Sequence, residues 1–156
     1  MFYALGYLRY TVIITALVLL VGSVYFVDIS ILSFLFFMLS AILGVLIIYL
    51  LYTSIGLVTF WTEAIFGLRD LVSHTSMIFS GALMPLELLP RFIYRLSFFL
   101  PFRSTIHTPI NIFTQGFSLR VMLWAILQQL LWVSILYVIT NILWFFGVRK
   151  YTAQGG

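Results

Sequence analysis

Charge is what this chain has least of. Only 8% of its 156 residues are Asp, Glu, Lys or Arg, against 63% that are hydrophobic. A soluble domain carries about 25% charged residues, because something polar must cover its outside. With so few polar residues to spare, a water-soluble globule, a nucleic-acid reader and a disordered linker are all excluded. Cysteine is absent altogether, which removes disulfides, thiolate metal sites and lipidated cysteines. No G-x-x-x-x-G-K-[ST] string occurs, so the chain has no loop of its own to cradle ATP phosphates. Basic runs are missing too: Arg149-Lys150 is the longest, although the net charge is +4. That balance fits loops facing an anionic membrane surface and not nucleic acid.

What is present is length without charge. The mean hydropathy is +1.19, and residues 10–27, 29–62 and 121–148 carry no formal charge. A helix crosses the hydrocarbon with about 20 apolar residues. The expected fold is therefore all-α and polytopic, with four crossings at about 8–27, 31–60, 64–84 and 119–147. Ser30 with Asp28, and Thr62 with Glu63, supply caps and first-turn acids for the second and third crossings. Gly147 sits just inside Arg149 and Lys150, as a helix end for the fourth. Tyr and Trp near the expected ends, Trp61 and Trp144 among them, suit the headgroup layers. The first segment has no A-x-A site after it and reads as a retained crossing, not a signal peptide. Loop cations do not decide the orientation: Arg9, Arg69, Arg149 and Lys150 fall on one side, Arg91, Arg95, Arg103 and Arg120 on the other.

Residues 85–118 read PLELLPRFIYRLSFFLPFRSTIHTPINIFTQGFS. Prolines at 85, 90, 101 and 109 can each end one helix or start another. Pro90 to Leu100 is a short helix with Arg91 and Arg95 on one face, reaching only about 16 Å. Thr108-Pro109 and Gly116 frame a second one of about two turns, with Thr108 as its cap. Two such helices between crossings either re-enter among the other helices or lie flat on the lipid.

Polar residues inside the crossings are few. Arg69, Ser73, Ser76 and Ser80 recur at helical steps, beside Asp70, His74 and Gly81. Such a face lines a watery path, or else is a small-residue contact. Asp70, Ser73 and His74 do not converge as a hydrolase would need, because adjacent helical positions diverge; a helix-end ion pair with Arg69 is the reading preferred. His74 and His107 lack a ligand-spaced carboxylate, so no metal site is assigned. Gln128, Gln129, Ser134, Thr140 and Asn141 in the last crossing do not share a face and imply hydrogen bonds to several neighbours. Ser40-x-x-x-Gly44 is a further close-contact step.

The string Phe79-Ser80-Gly81-Ala82-Leu83-Met84-Pro85, then Leu89-Pro90, Leu100-Pro101-Phe102 and Pro109, resembles the membrane subunit of type-2 ABC exporters. There an S-G-x-x-x-P ending of the penultimate helix leads into two short external helices and a last crossing. Phe60-Trp61-Thr62 and the closing RKYTAQGG resemble a bacterial branch of it. The likeness covers residues 56–156 well and 1–55 only as hydrophobic crossings. It implies cytoplasmic termini in a bacterial inner membrane. It implies ATPase subunits that bind the ATP as partners, and a second permease copy or a paralogous permease. It places Gly81, Pro85, Pro90 and Pro101 in an outer gate. The residue pattern itself offers Ser73, Ser76 and Ser80 as translocation-path candidates, with tight packing as the alternative, and Glu63, Arg69 and Asp70 as ATPase contacts, with ordinary solvated loop charge as the alternative. Arg91 and Arg95 would meet membrane lipid. Family members usually have six crossings, so this chain looks like the last four. A non-transporting scaffold or permease remnant is the alternative, and an intramembrane enzyme finds no catalytic constellation to support it.

Overall fold

The computed structural model describes residues 30–62, 65–115 and 118–154. The expected first crossing at 8–27 lies outside these residues, as do Asp28, Glu63 and Gly116. Among the described residues the fold is all-α. Helix α1 runs Ile31–Leu57 and tightens into a 3-10 turn at Val58–Phe60. Helix α2 is Ile65–Phe79, α3 is Arg91–Ser97, α4 is His107–Thr114 and α5 is Leu119–Gln154. Two stretches, Ile31–Phe60 and Leu119–Lys150, are long and apolar enough to cross a bilayer.

Helix α1 buries its serines. Ser33, Ser40, Leu43, Gly44, Ile47, Leu50 and Ser54 are buried on α1, mostly at alternating three- and four-residue steps. Phe34, Leu35, Ile42 and Val45 point outward. On α5 the buried positions are Met122, Ile126, Gln129, Leu136 and Gly147, again on one heptad-like seam. Apolar side chains gain nothing by leaving lipid for another helix, so the contact favours residues that let backbones approach or that hydrogen-bond. Ile47 and Leu50 meet Leu136, with Leu51, Trp132 and Val133 packed around them. The Ser54 and Thr140 hydroxyls lie 2.8 Å apart, and the rings of Phe60 and Trp144 are 6.5 Å apart.

These pairs advance in the same direction along both helices, so α1 and α5 are parallel. The chain between them must return from the Phe60 end to the Leu119 end. Helix α2 starts that return beside the end of α1, where Tyr52, Gly56, Ile65, Phe66 and Arg69 line a shared cavity of about 310 Å³. It is 15 residues long, about 22 Å, and stops at Phe79 where the third expected segment reaches 84. The cause is Gly81, whose φ of 81° no helix continues through. An added Cβ at Gly81 meets its neighbours only at ordinary contact distance, so the backbone angle, and not crowding, calls for glycine.

The last helix departs from expectation in the opposite direction. It runs through Gly147 to Gln154. Gly147 is not a terminator but a notch: a Cβ there would overlap the ring of Phe60. Gly44 is a second notch, where a Cβ would stand 2.7 Å from the backbone oxygen of Thr105. Two rigid backbones meet there, so Gly44→Ala forces them apart, at a cost of about 1–3 kcal/mol. Gly56, with nothing within 4 Å of its added Cβ, is the control, and Gly56→Ala gains about 0.5–1 kcal/mol of helix propensity. Thermal unfolding of the full chain in detergent should separate the two variants, the first lowering the midpoint and the second holding or raising it.

Candidate functional site

The segment between α2 and α5 is shaped by its prolines. Pro85 precedes a 3-10 turn at Leu86–Leu88, Pro90 precedes α3, and Pro101 opens a second 3-10 turn at Pro101–Ser104. Pro109 lies in the first turn of α4, where its missing N–H costs little. Both short helices read from the sequence exist, at 91–97 and 107–114. The cap of the second is corrected: α4 starts at His107 with Ile106 at the N-cap position. Thr108 sits inside the first turn, its hydroxyl donating to the Arg103 carbonyl at 3.3 Å.

The tip of this hairpin, residues 101–105, is wedged between α1 and α5. Gly44 receives the backbone of Thr105. Gln129, fully buried, donates from Nε2 to the Ser104 carbonyl at 2.7 Å and to the Ser40 carbonyl at 3.0 Å. Gly44 lies about 20 Å along α1 from Ile31, and Gln129 about 15 Å along α5 from Leu119. A loop lying across the helix ends would not reach that far, so the segment inserts between them. Of the two sequence readings, re-entry describes it. Gln128 adds a bond from α5 to the Phe98 carbonyl at 2.9 Å. The seam is not saturated: the Ser40 hydroxyl and Gln129 Oε1 are buried and find no hydrogen-bond partner among the described residues.

A second polar joint ties the hairpin to the end of α2. Ser80 is buried; its carbonyl accepts from the His107 N–H at 3.1 Å and its hydroxyl from the Ala82 N–H at 3.3 Å. The His107 ring is buried and lies 2.8 Å from Glu87, Nε2 to Oε1. Burial pushes the His107 pKa below its ordinary value, against the opposing pull of Glu87. At neutral pH the pair is therefore a neutral imidazole donating Nε2–H to a carboxylate. Nδ1 is left as an acceptor, with the Asn111 amide nitrogen 3.3 Å away. The His107 bond, then the Glu87 backbone, hold the Glu87 carboxyl below the usual carboxylate range. From sequence His107 is weighed only as a metal ligand and Glu87 is not singled out; they lie twenty positions apart, and only the hairpin turn brings them together.

Beside the hairpin, against α5, is a cavity of about 700 Å³, with Phe98, Arg103, Asn111, Trp124, Gln128 and Leu131 on its walls. The Arg103 guanidinium lies 3.6 Å from the Phe98 ring centroid and 5.0 Å from that of Tyr94.

The residues read as one polar stripe are divided by the structure. Ser73 is exposed, Ser76 half-buried, and Ser80 buried beyond the end of the helix. Arg69 and Asp70 are exposed on the first turns of α2. The expected ion pair there gives way to a different bond: His74 Nδ1 donates to the Asp70 backbone carbonyl at 2.7 Å, one turn back. Among the described residues the one salt-bridge contact is His107 with Glu87. No three potential metal-ligating side chains cluster among those residues. Of the gate candidates, Gly81 and Pro101 lie in the packed hairpin, whereas Pro85 and Pro90 are exposed at its turns.

A family model described as ABC-2 family transporter protein matches residues 1–155. The chain belongs to the ABC-2 transporter family. The match extends over the first 55 residues, where the resemblance read from sequence rested on hydrophobicity alone. No curated protein and no solved structure matches the chain. As an ABC-2 family member it is a membrane permease component of an ABC transporter and not itself the ATPase.

The joint at His107 has a pH signature. A histidine with a depressed pKa leaves the native state short of protons relative to the unfolded chain, so its stabilising effect is complete above about pH 6.5 and declines below it. Glu87 extends the loss to lower pH, as its depressed pKa is approached and its carboxylate takes up a proton. The thermal midpoint of the wild-type chain should fall steadily from pH 7.5 to pH 5. His107→Gln should flatten the upper part of that fall, and Glu87→Gln should lower the midpoint already at pH 7.5.

Proposed function

We propose that this ABC-2 permease works in an ATP-driven exporter of a bacterial inner membrane, with its termini in the cytoplasm and the re-entrant hairpin as the outer gate. One observation carries the reading: the hairpin tip is held between two parallel apolar helices by the buried Gln129 amide. A hydrogen-bonded plug at that place blocks passage along the helix pair until the helices separate. Gly81, Pro85, Pro90 and Pro101 set the turns of the plug. Separation needs work, which a partner ATPase would supply through domain closure. Arg69 and Asp70, exposed near the Phe60 end, are the proposed contacts for that partner, together with Glu63, which lies outside the described residues. Ser73 and Ser76 are the proposed path residues of α2, and Ser80 serves the plug itself. A second permease copy, identical or paralogous, would complete the path.

The scaffold reading keeps the same fold but needs no turnover. The two separate on capture and hydrolysis. The full chain, affinity-purified from its native membrane, should bring down an ABC ATPase whose hydrolysis in vesicles rises several-fold over the ATPase alone. Charge reversal at Arg69 should weaken that recovery by about tenfold, the effect of roughly 1.4 kcal/mol. Capture without stimulated hydrolysis would favour the scaffold. Orientation is tested separately. Because the chain has no cysteine, Leu88→Cys and Lys150→Cys give clean single labels. An impermeant maleimide should reach the first in intact cells and the second only after permeabilisation.

A further inference from the structure

We infer that the cavity between the hairpin and α5 is a binding site for one anionic phospholipid, its headgroup phosphate on Arg103 and an acyl chain along Leu127 and Leu131. The site stands apart from the direction of transport and from any ATPase contact.

Three observations converge on an anionic amphiphile. The first is the shape and chemistry of the cavity, whose volume is about 700 Å³. Trp124, Leu127 and Leu131 form a wall one helix face wide and are 65%, 55% and 59% exposed. Polar groups from Arg103, Gln128 and Asn111 gather on the hairpin side. An apolar wall with a few polar groups at one place matches a molecule with a tail and a head.

The second is charge. A guanidinium carries five N–H donors, and Arg103 spends one on the Ser97 hydroxyl at 3.4 Å. Its planar face is taken by Phe98. No carboxylate pairs with it among the described residues, and Glu87 already accepts from His107. The lining therefore holds one cation and no acid. Stacking on Phe98 and Tyr94 fixes the guanidinium plane while leaving its edge for a phosphate, the geometry in which arginine binds oxyanions best.

The third is depth. Trp124 and Trp144 are twenty residues apart on α5, about 30 Å, which is one hydrocarbon thickness. Trp144 stands against Phe60, one turn before Arg149 and Lys150, and marks one boundary. Trp124 then marks the other, since indoles favour the headgroup layer. Arg103 opens beside Gln128, one turn below Trp124, and a long arginine side chain reaches a boundary from there. Leu127 and Leu131 continue into the hydrocarbon, where an acyl chain lies. A zwitterionic lipid fills the same apolar wall but brings its own cation to Arg103, so the site selects for net negative charge.

The full chain in vesicles tests this through Trp124. Brominated phosphatidylglycerol and brominated phosphatidylcholine are compared as quenchers, and the Trp124 contribution is taken as the difference from a Trp124→Phe chain. The anionic lipid should quench at about fivefold lower mole fraction, the effect of one basic residue near a lipid surface. Arg103→Gln should abolish that preference and Arg103→Lys should keep part of it. Ala125→Phe fills the cavity from α5 and keeps the Arg103 charge, and should abolish the preference while leaving ordinary contact quenching. Equal quenching by the two lipids in the wild type, or a preference that survives both Arg103→Gln and Ala125→Phe, overturns the site. Relief of the quenching by millimolar glycerol phosphate would make it a site for a soluble phosphate and also overturn the lipid assignment.

Discussion

In hydrocarbon a backbone N–H or C=O that is not part of a helix has no water to turn to. A re-entrant hairpin breaks the helical ladder at its tip, so the carbonyls it frees must be met by side chains. Gln128 meets the Phe98 carbonyl, Thr108 the Arg103 carbonyl, and Gln129 the Ser104 carbonyl at the tip. Gln129 comes from α5, reaches Ser104 in the hairpin and Ser40 in α1, and so joins three segments through a single amide. The notch at Gly44 allows the approach that makes the bonds short. Bonds of this kind contribute about 1 kcal/mol net, but leaving the Ser104 carbonyl buried without a partner costs about 1–3 kcal/mol. The insertion therefore depends on the amide more than on the apolar area it covers, which lipid would have covered equally well.

That logic explains why some features can be read from the chain and others cannot. The long apolar runs announce α1 and α5, and the prolines announce the hairpin, because both are local. Ser40-x-x-x-Gly44 marks a close approach correctly. Of the scattered polar residues of the last helix, Gln128, Gln129 and Thr140 reach other segments, whereas Ser134 and Asn141 bond back to carbonyls of their own helix at Leu130 and Tyr137. The partner is what stays hidden: Gly44 admits the hairpin backbone and not another long helix. His107 looks unremarkable in sequence because Glu87 is on the far side of α3, and only the folded hairpin puts them 2.8 Å apart. Helix ends mislead at Gly147 and Thr108 for a common reason. A glycine or a threonine-proline pair signals a permitted boundary, and packing decides whether it is used. Phe60 needs the notch at Gly147, so the helix runs on.

The seam between α1 and α5 shows the inverted patterning of a protein in lipid. Hydropathy along residues 31–57 is nearly uniform, so no greasy stripe points inward. The signal lies instead in serines 33, 40 and 54, which are spaced by multiples of seven and all buried. In water that stripe would be the solvated face. In a bilayer it is the contact, because small residues let helix backbones approach and hydroxyls find partners, as Ser54 does with Thr140. Reading it requires knowing the solvent before looking for a core.

The same accounting separates the fixed parts of the molecule from the part best placed to move. Helices α1 and α5 are held together from Gln129 to Gly147, about 27 Å of seam, and the hairpin tip is clamped to both. Helix α2 has no buried residue along its length, and its end is secured chiefly by backbone and histidine bonds around Ser80. Elements with little buried contact open at lower cost than packed ones. Helix α2 therefore joins an exposed start near Arg69 to a polar latch at Ser80 and His107, while the paired long helices serve as the frame. A force applied at Arg69 would be carried about 16 Å along the helix to the joint whose hydrogen bonds hold the hairpin against α2. In this arrangement the latch, and not the greasy seam, is where a modest energy input changes the structure.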